Sequence, residues 1–244
     1  MKTYGLIGFP LEHSFSKDYF TKKFEREQIP ETEFLNFSLE DISGLPRLLQ
    51  QHPGLLGLAV TIPHKEKILA FADRLSEEVK EIGAANCLRI EKDGCTAFNT
   101  DIKGFRESLN RFLNNELLPA LILGSGGASK AVEYVLRKEQ VPFLSVSRYP
   151  KGEAIAYKDL HTGLLKEYPL IVNCTPLGMY PETESCPPIP YERLTAANRL
   201  FDLVYNPSRT QFLLKGEAAG CKVHNGLEML EIQAEANWEI WNAR

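Results

Sequence analysis

The sequence contains no C-x-x-C pair, no H-x-x-x-H pair and no run of lysine or arginine. It also lacks any apolar stretch approaching a membrane span, any internal repeat and any low-complexity tract. Each absence removes a class of protein. The five cysteines, at positions 87, 95, 174, 186 and 221, are odd in number and form neither a disulfide framework nor a zinc site, which suits a reducing compartment. The five histidines have no ligand spacing, so no metal is expected. A net charge of −4 without a basic segment argues against a nucleic-acid partner. With no membrane span, and with Met1-Lys2-Thr3 leading into a short strand rather than a signal peptide, the expected location is the cytoplasm.

What is present is a globular composition: 244 residues, 43% hydrophobic and 25% charged, enough for a large core in one or two domains. One stretch organises the rest, Leu121-Ile122-Leu123-Gly124-Ser125-Gly126-Gly127-Ala128-Ser129. Its apolar start reads as a buried parallel strand. Ala128, Ala131, Val132, Val135 and Leu136 then recur at helical spacing. Strand, glycine turn and helix make a site for a dinucleotide pyrophosphate, because glycine admits close backbone approach and a helix start offers unpaired N–H groups. The competing reading is an ordinary strand-to-helix turn that binds nothing. Ser129 stands where a third glycine would fall, and is small enough for close packing.

Ahead of this stretch, strands are expected at 3–8, 33–38 and 56–62, with helices at 40–51 and 68–82. Alternation of this kind implies a parallel sheet. Ser14 and Ser16 precede a helix carrying Phe20 and Phe24; they either cap it or meet a carboxylate ligand. Lys65 follows the third strand, at the strand end that faces a ligand crevice in such sheets; it is either a surface charge or a group with chemistry. Lys92-Asp93-Gly94 signals a hairpin between 87–90 and 95–98. Asp101 then either caps the helix 102–115 or points into a cleft.

After the glycine turn, a second strand at 142–147 ends in Arg148, with Lys151 close behind. An acidic residue at this place suits a free ribose hydroxyl; cations suit a 2′-phosphate. Only a few residues then separate Arg148 from strand-like 153–157, too few for a helical crossover, so that piece is expected to be antiparallel or an irregular edge. Strands at 170–175 and 200–205, a helix at 210–219 and a terminal helix carrying Leu227, Leu230, Ala234, Trp238 and Trp241 complete the chain. Gln233 lies beside that apolar stripe, as a boundary residue or a ligand contact.

With these pieces placed, nearly the whole chain resembles the shikimate dehydrogenase family. The shared pattern comprises His13-Ser14-Phe15-Ser16, Val60-Thr61-Ile62-Pro63-His64-Lys65, Gly83-Ala84-Ala85-Asn86, Asn99-Thr100-Asp101 and the Gly124 to Ser129 turn. It continues through Asn173-Cys174-Thr175-Pro176-Leu177-Gly178-Met179, Asp202-Leu203-Val204-Tyr205-Asn206-Pro207, and Gly226 with Gln233-Ala234. The resemblance implies an α/β fold with an N-terminal, mainly parallel substrate domain over 1–101, completed by 226–244. A Rossmann-like NADP-binding domain over 102–225 would follow, trimmed after its second strand. It implies reversible NADP-dependent reduction of 3-dehydroshikimate to shikimate, by a monomer or homodimer. In that reading Ser14, Ser16 and Tyr205 hold the substrate carboxylate, and Thr61, Asn86 and Gln233 the hydroxyls. Lys65 and Asp101 carry the proton transfer, with the formal base left open between them. Gly124, Ser125, Gly126, Gly127, Ala128, Ser129 and Gly226 belong to the cofactor side, and Arg148 meets the 2′-phosphate. Departures fall at Ala59, where the family commonly has Asn; at Lys17, Phe20 and Thr21; and at Ser147-Arg148-Tyr149, where Asn-Arg-Thr is usual.

Overall fold

The computed structural model describes residues 1–11 and 15–243. The chain divides into two compact units, Met1–Thr100 with Ala234–Arg244, and Asp101–Gln233. The division falls inside the last helix.

The first unit is built on strands β1 (Lys2–Gly8), β2 (Thr32–Ser38), β3 (Leu55–Val60), β4 (Arg74–Leu75), β5 (Cys87–Glu91) and β6 (Gly94–Phe98), in the order β2-β1-β3-β5-β6-β4. β1 is parallel to β2 and β3, while β5 is antiparallel to both β3 and β6. Helices α1 (Phe15–Arg26), α2 (Leu45–Gln51) and α3 (Glu77–Ile82) belong to the same unit. Strand period decides which residues share a core. Tyr4, Leu6, Ala59 and Cys87 pack with Phe20 and Phe24 of α1 and with Trp241 of the C-terminal helix. Their neighbours Ile7, Leu58, Val60 and Leu88 pack with Leu45, Leu48 and Val79. Gly57 lies under Trp241: a β-carbon there would sit 2.3 Å from the ring, and the indole Nε1 donates to Leu88 O at 3.0 Å.

Three expectations for this unit are corrected. Residues 68–82 do not form one helix. They make a 3₁₀ segment (Lys67–Phe71), β4 and the short α3. Asp73 Oδ2 accepts from Cys95 N at 2.7 Å, Ser76 N donates to Ala97 O, and Ser76 Oγ caps α3 at Val79 N. These polar side chains divert the backbone onto the open edge of β6. The helix expected at 40–51 opens as a 3₁₀ turn capped by Asp41 and becomes α2 only at Leu45. Ser16 does not precede its helix but lies buried in the first turn of α1. The hairpin forms as expected, with Gly94 at φ +127°, a conformation that favours glycine.

The second unit contains α4 (Asp101–Leu113), β7 (Ala120–Leu123), α5 (Gly127–Lys138), β8 (Phe143–Ser147), β9 (Ile155–Ala156), α6 (Thr162–Glu167), β10 (Leu170–Asn173), β11 (Arg199–Asp202), α7 (Gln211–Ala218), β12 (Lys222–His224) and the start of α8 (Leu227–Asn242). All six strands are parallel, in the order β12-β11-β10-β7-β8-β9. Counted from the β9 edge this is the doubly wound order 3-2-1-4-5-6, whose switch point lies between β7 and β10. Leu121, Ile122, Leu123, Ile171 and Val172 are fully buried, as strands covered on both faces require.

The piece after Arg148 is a parallel edge, not an antiparallel one. β9 pairs only with Val146 and Ser147, the last residues of β8. The connection therefore never returns along the full strand, and a short loop replaces a crossover helix.

Candidate active site

In the second unit, β7 delivers Gly124 to the switch point. Gly124 has φ +113°, and a β-carbon there would lie 3.1 Å from Thr175 Cγ2 and 3.3 Å from the Cys174 carbonyl carbon. Conformation and space both call for glycine. Ser125 and Gly126 are exposed, and Gly126, the N-cap of α5, has open space where a side chain would be. Among the described residues no side chain caps α5, so its first N–H groups and positive dipole end suit an anion. Ser129 is buried and its hydroxyl donates to Gly126 O at 2.7 Å, so it closes the turn from inside. Gly127 and Ala128 begin α5 beside it. Arg148 is exposed at the end of β8, next to Tyr149, which is 81% exposed.

A buried polar network supports the facing loop. Asp202 accepts from Asn173 Nδ2 (2.9 Å), Val204 N (3.0 Å) and Thr210 Oγ1 (2.6 Å). Asn173 Oδ1 in turn accepts from Thr175 N and Thr175 Oγ1 at 3.0 and 2.6 Å. Thr175 is thereby held against Gly124. Burial pushes the Asp202 carboxyl up to about 6, against the opposing pull of its three hydrogen bonds. Burial also raises the Cys174 thiol well above its ordinary value, with the charges of Glu133, Asp202 and Asp101 adding to the effect, so it is no ready nucleophile.

Two further sequence-selected residues lie where α4 meets α8. Gly104 packs so closely that a β-carbon would be 2.6 Å from Met229 O and 3.2 Å from Gln233 Cβ. Asp101 is one helical turn before Gly104 and is buried. Gln233 is buried as well, and its Nε2 donates to Leu230 O at 3.0 Å. Gly226 is packed against Leu203, whose carbonyl oxygen would be 2.1 Å from an added β-carbon; backbone contact alone demands glycine there. Tyr205 is half-buried just beyond β11.

In the first unit the turn after β3 carries Thr61 and Lys65, both half-buried. Thr61 N donates to Ile7 O at 2.9 Å, His64 N to Thr61 O at 2.9 Å, and Ala85 N to Lys65 O at 2.7 Å. The last bond ties Lys65 to the stretch holding Asn86. Asn86 is buried, and its Oδ1 accepts from Thr100 N at 2.7 Å, which sets the direction of the amide. Thr100 Oγ1 donates to Asn237 Oδ1 at 2.7 Å. Thr61, Lys65 and Asn86 are thus brought together, whereas Ser14 lies outside the described residues. The Asn173–Asp202–Thr210 network, Asn237 and the side-chain anchor of His64 were not assigned from sequence.

Fold and turn together define the class, a two-unit α/β protein with a Rossmann-like second unit. A family model described as the shikimate dehydrogenase substrate binding domain matches residues 6–88. The chain is 34% identical to the shikimate dehydrogenase (NADP(+)) of Methanococcus maripaludis, across 100% of this chain and 92% of that one. It is 36% identical to the enzyme of the same name from Clostridium beijerinckii, across 99% and 92%. The crystal structure of shikimate 5-dehydrogenase from Thermus thermophilus, in complex with NADP(H) and shikimate, superposes with a TM-score of 0.88 at 31% identity, covering 100% of this chain and 94% of that one. The chain belongs to the shikimate dehydrogenase family.

Proposed function

We propose that this protein catalyses the reversible, NADP-dependent reduction of 3-dehydroshikimate to shikimate, a step in aromatic amino-acid biosynthesis. The observation that carries this reading is the similarity to NADP(+) shikimate dehydrogenases along the whole chain. The second unit fits the cofactor: the open Gly126 cradle and the uncapped start of α5 suit a pyrophosphate, and exposed Arg148 suits a 2′-phosphate. Gly124, Ser125, Gly127, Ala128, Ser129 and Gly226 shape that side. We assign the work to the cytoplasm; among the described residues no helix is long and apolar enough to cross a membrane.

When bound, the nicotinamide supplies the hydride for reduction and takes it back in oxidation. Attack on the ketone builds negative charge on its oxygen. The Lys65 ammonium neutralises that charge and delivers a proton. In the oxidative direction the single hydroxyl proton passes to a neutral Lys65 amine or to the Asp101 carboxylate, the formal base being one of these two groups. Thr61, Asn86 and Gln233 hold the ring hydroxyls; Ser14, Ser16 and Tyr205 hold the carboxylate. The buried bond from Thr100 N to Asn86 Oδ1 supports this role for Asn86, because an oxygen committed to the backbone leaves the amide presenting its donors in one direction.

Shikimate-dependent reduction of NADP+ by the purified protein tests the activity. Lys65→Ala tests the proton carrier. It should lower kcat by roughly 10²–10⁴-fold while KM for shikimate changes far less. An equal loss in both would contradict a catalytic Lys65.

A further inference from the structure

The turn bearing Lys65 is fastened on one flank by a side chain that the reaction does not use. His64 is fully buried, and its Nε2 lies 2.5 Å from Leu39 O. Leu39 follows β2, and its own N–H donates to Gly8 O at the end of β1. A carbonyl oxygen only accepts, so Nε2 carries the imidazole proton. Nδ1 is buried and has no hydrogen-bond partner among the described residues. The side chain therefore makes a single polar bond among the described residues, and that bond joins the Lys65 turn to the ends of β1 and β2.

Backbone bonds tie the rest of the turn. Thr61 N bonds Ile7 O, Phe9 N bonds Ile62 O at 3.0 Å, and Lys65 O accepts from Ala85 N. Gly8 makes room for the arrangement, since a β-carbon there would be 2.4 Å from Thr61 Cγ2. The residues on either side of His64 are thus held at Thr61 and at Lys65, and His64 supplies the anchor between them.

We propose that His64 is a positioning residue for Lys65: its Nε2–H bond to Leu39 O sets the backbone from which the Lys65 ammonium reaches the reacting oxygen. The inference rests on the reading of Lys65 as proton carrier. A group that only positions the acid affects the chemical step more than ground-state binding. Displacements of about 1 Å in a catalytic group can cost roughly 10²-fold in rate.

The test compares His64→Phe, which keeps bulk and apolarity but removes the donor, with His64→Gln, whose Nε2 can donate from nearly the same place. Shikimate oxidation with NADP+ is measured for both, with Lys65→Ala alongside and folding followed by thermal melting. His64→Phe should lose about 10–100-fold in kcat with KM for shikimate within about threefold, and His64→Gln should regain most of it. A folded His64→Phe with kcat within about twofold of the unaltered protein overturns the proposal, as does a His64→Gln no better than His64→Phe. If His64→Phe does not fold, the decision passes to His64→Gln and to ¹⁵N NMR of the imidazole in the unaltered protein. A protonated Nε2 with a bare Nδ1 and near-normal kcat in His64→Gln then support it; the opposite tautomer overturns it. Lys65→Ala with undiminished kcat removes the parent reading, and this proposal with it.

Discussion

Asp202→Asn is predicted to change how stability depends on pH. Asp202 is fully buried, and its carboxyl is raised from 3.8 to about 6. A raised carboxyl binds its proton more tightly in the folded chain than in the unfolded one. Its stabilising contribution is therefore complete below about pH 4, falls as pH rises through about 6, and is absent at pH 7. Two pH units correspond to roughly 3 kcal/mol, of which about 2 kcal/mol falls between about pH 4.5 and pH 7. Asparagine removes the titration and keeps most of the network. Its Oδ1 can still accept from Asn173 and Val204, while its Nδ2 faces Thr210 Oγ1, whose proton can rotate away. Urea unfolding followed by circular dichroism, across this pH range, gives the stability of each protein. Their difference cancels the other carboxylates. The stability of the unaltered protein relative to Asp202→Asn should fall by about 2 kcal/mol from about pH 4.5 to pH 7. A flat difference, or one rising with pH, would refute the argument that burial governs this carboxyl.

Gly57→Ala should drive a methyl into the Trp241 ring, which is held by its bond to Leu88 O and by stacking on Tyr4. A loss of about 1–3 kcal/mol should appear as a lower melting temperature; an unchanged one would mean that the ring moves aside freely. Arg148→Ala should weaken NADP+ binding by about 10–100-fold in calorimetric titration while leaving NAD+ binding unchanged. Equal weakening of both cofactors would place Arg148 away from the 2′-phosphate.

What could be read from the chain depended on how local the cause was. The turn at Gly124 is legible because its positive φ favours glycine, so the residue type itself marks the turn. The buried strands β7 and β10 announced themselves as unbroken apolar runs. The break in 68–82 is not legible, because Asp73 and Ser76 bond to the edge of β6, a contact that local periodicity does not contain. β9 falls inside the strand-like 153–157, but a strand of two residues carries no signal of its direction, which is parallel to β8. The Asn173–Asp202 pair arises because β10 and β11 are neighbours in a register that sets those two residues opposite each other. His64 bonds a backbone carbonyl, and any residue at position 39 offers one. Chemistry-bearing side chains were thus easier to nominate than the groups that hold them.

The central claim is an oxidoreductase for shikimate that uses NADP. Its most direct test is the initial rate of nicotinamide reduction by the purified protein with shikimate, comparing NADP+ with NAD+ at matched concentrations. Turnover with shikimate, and a kcat/KM for NADP+ well above that for NAD+, is the predicted result. No turnover with either cofactor, or a preference for NAD+, would contradict it.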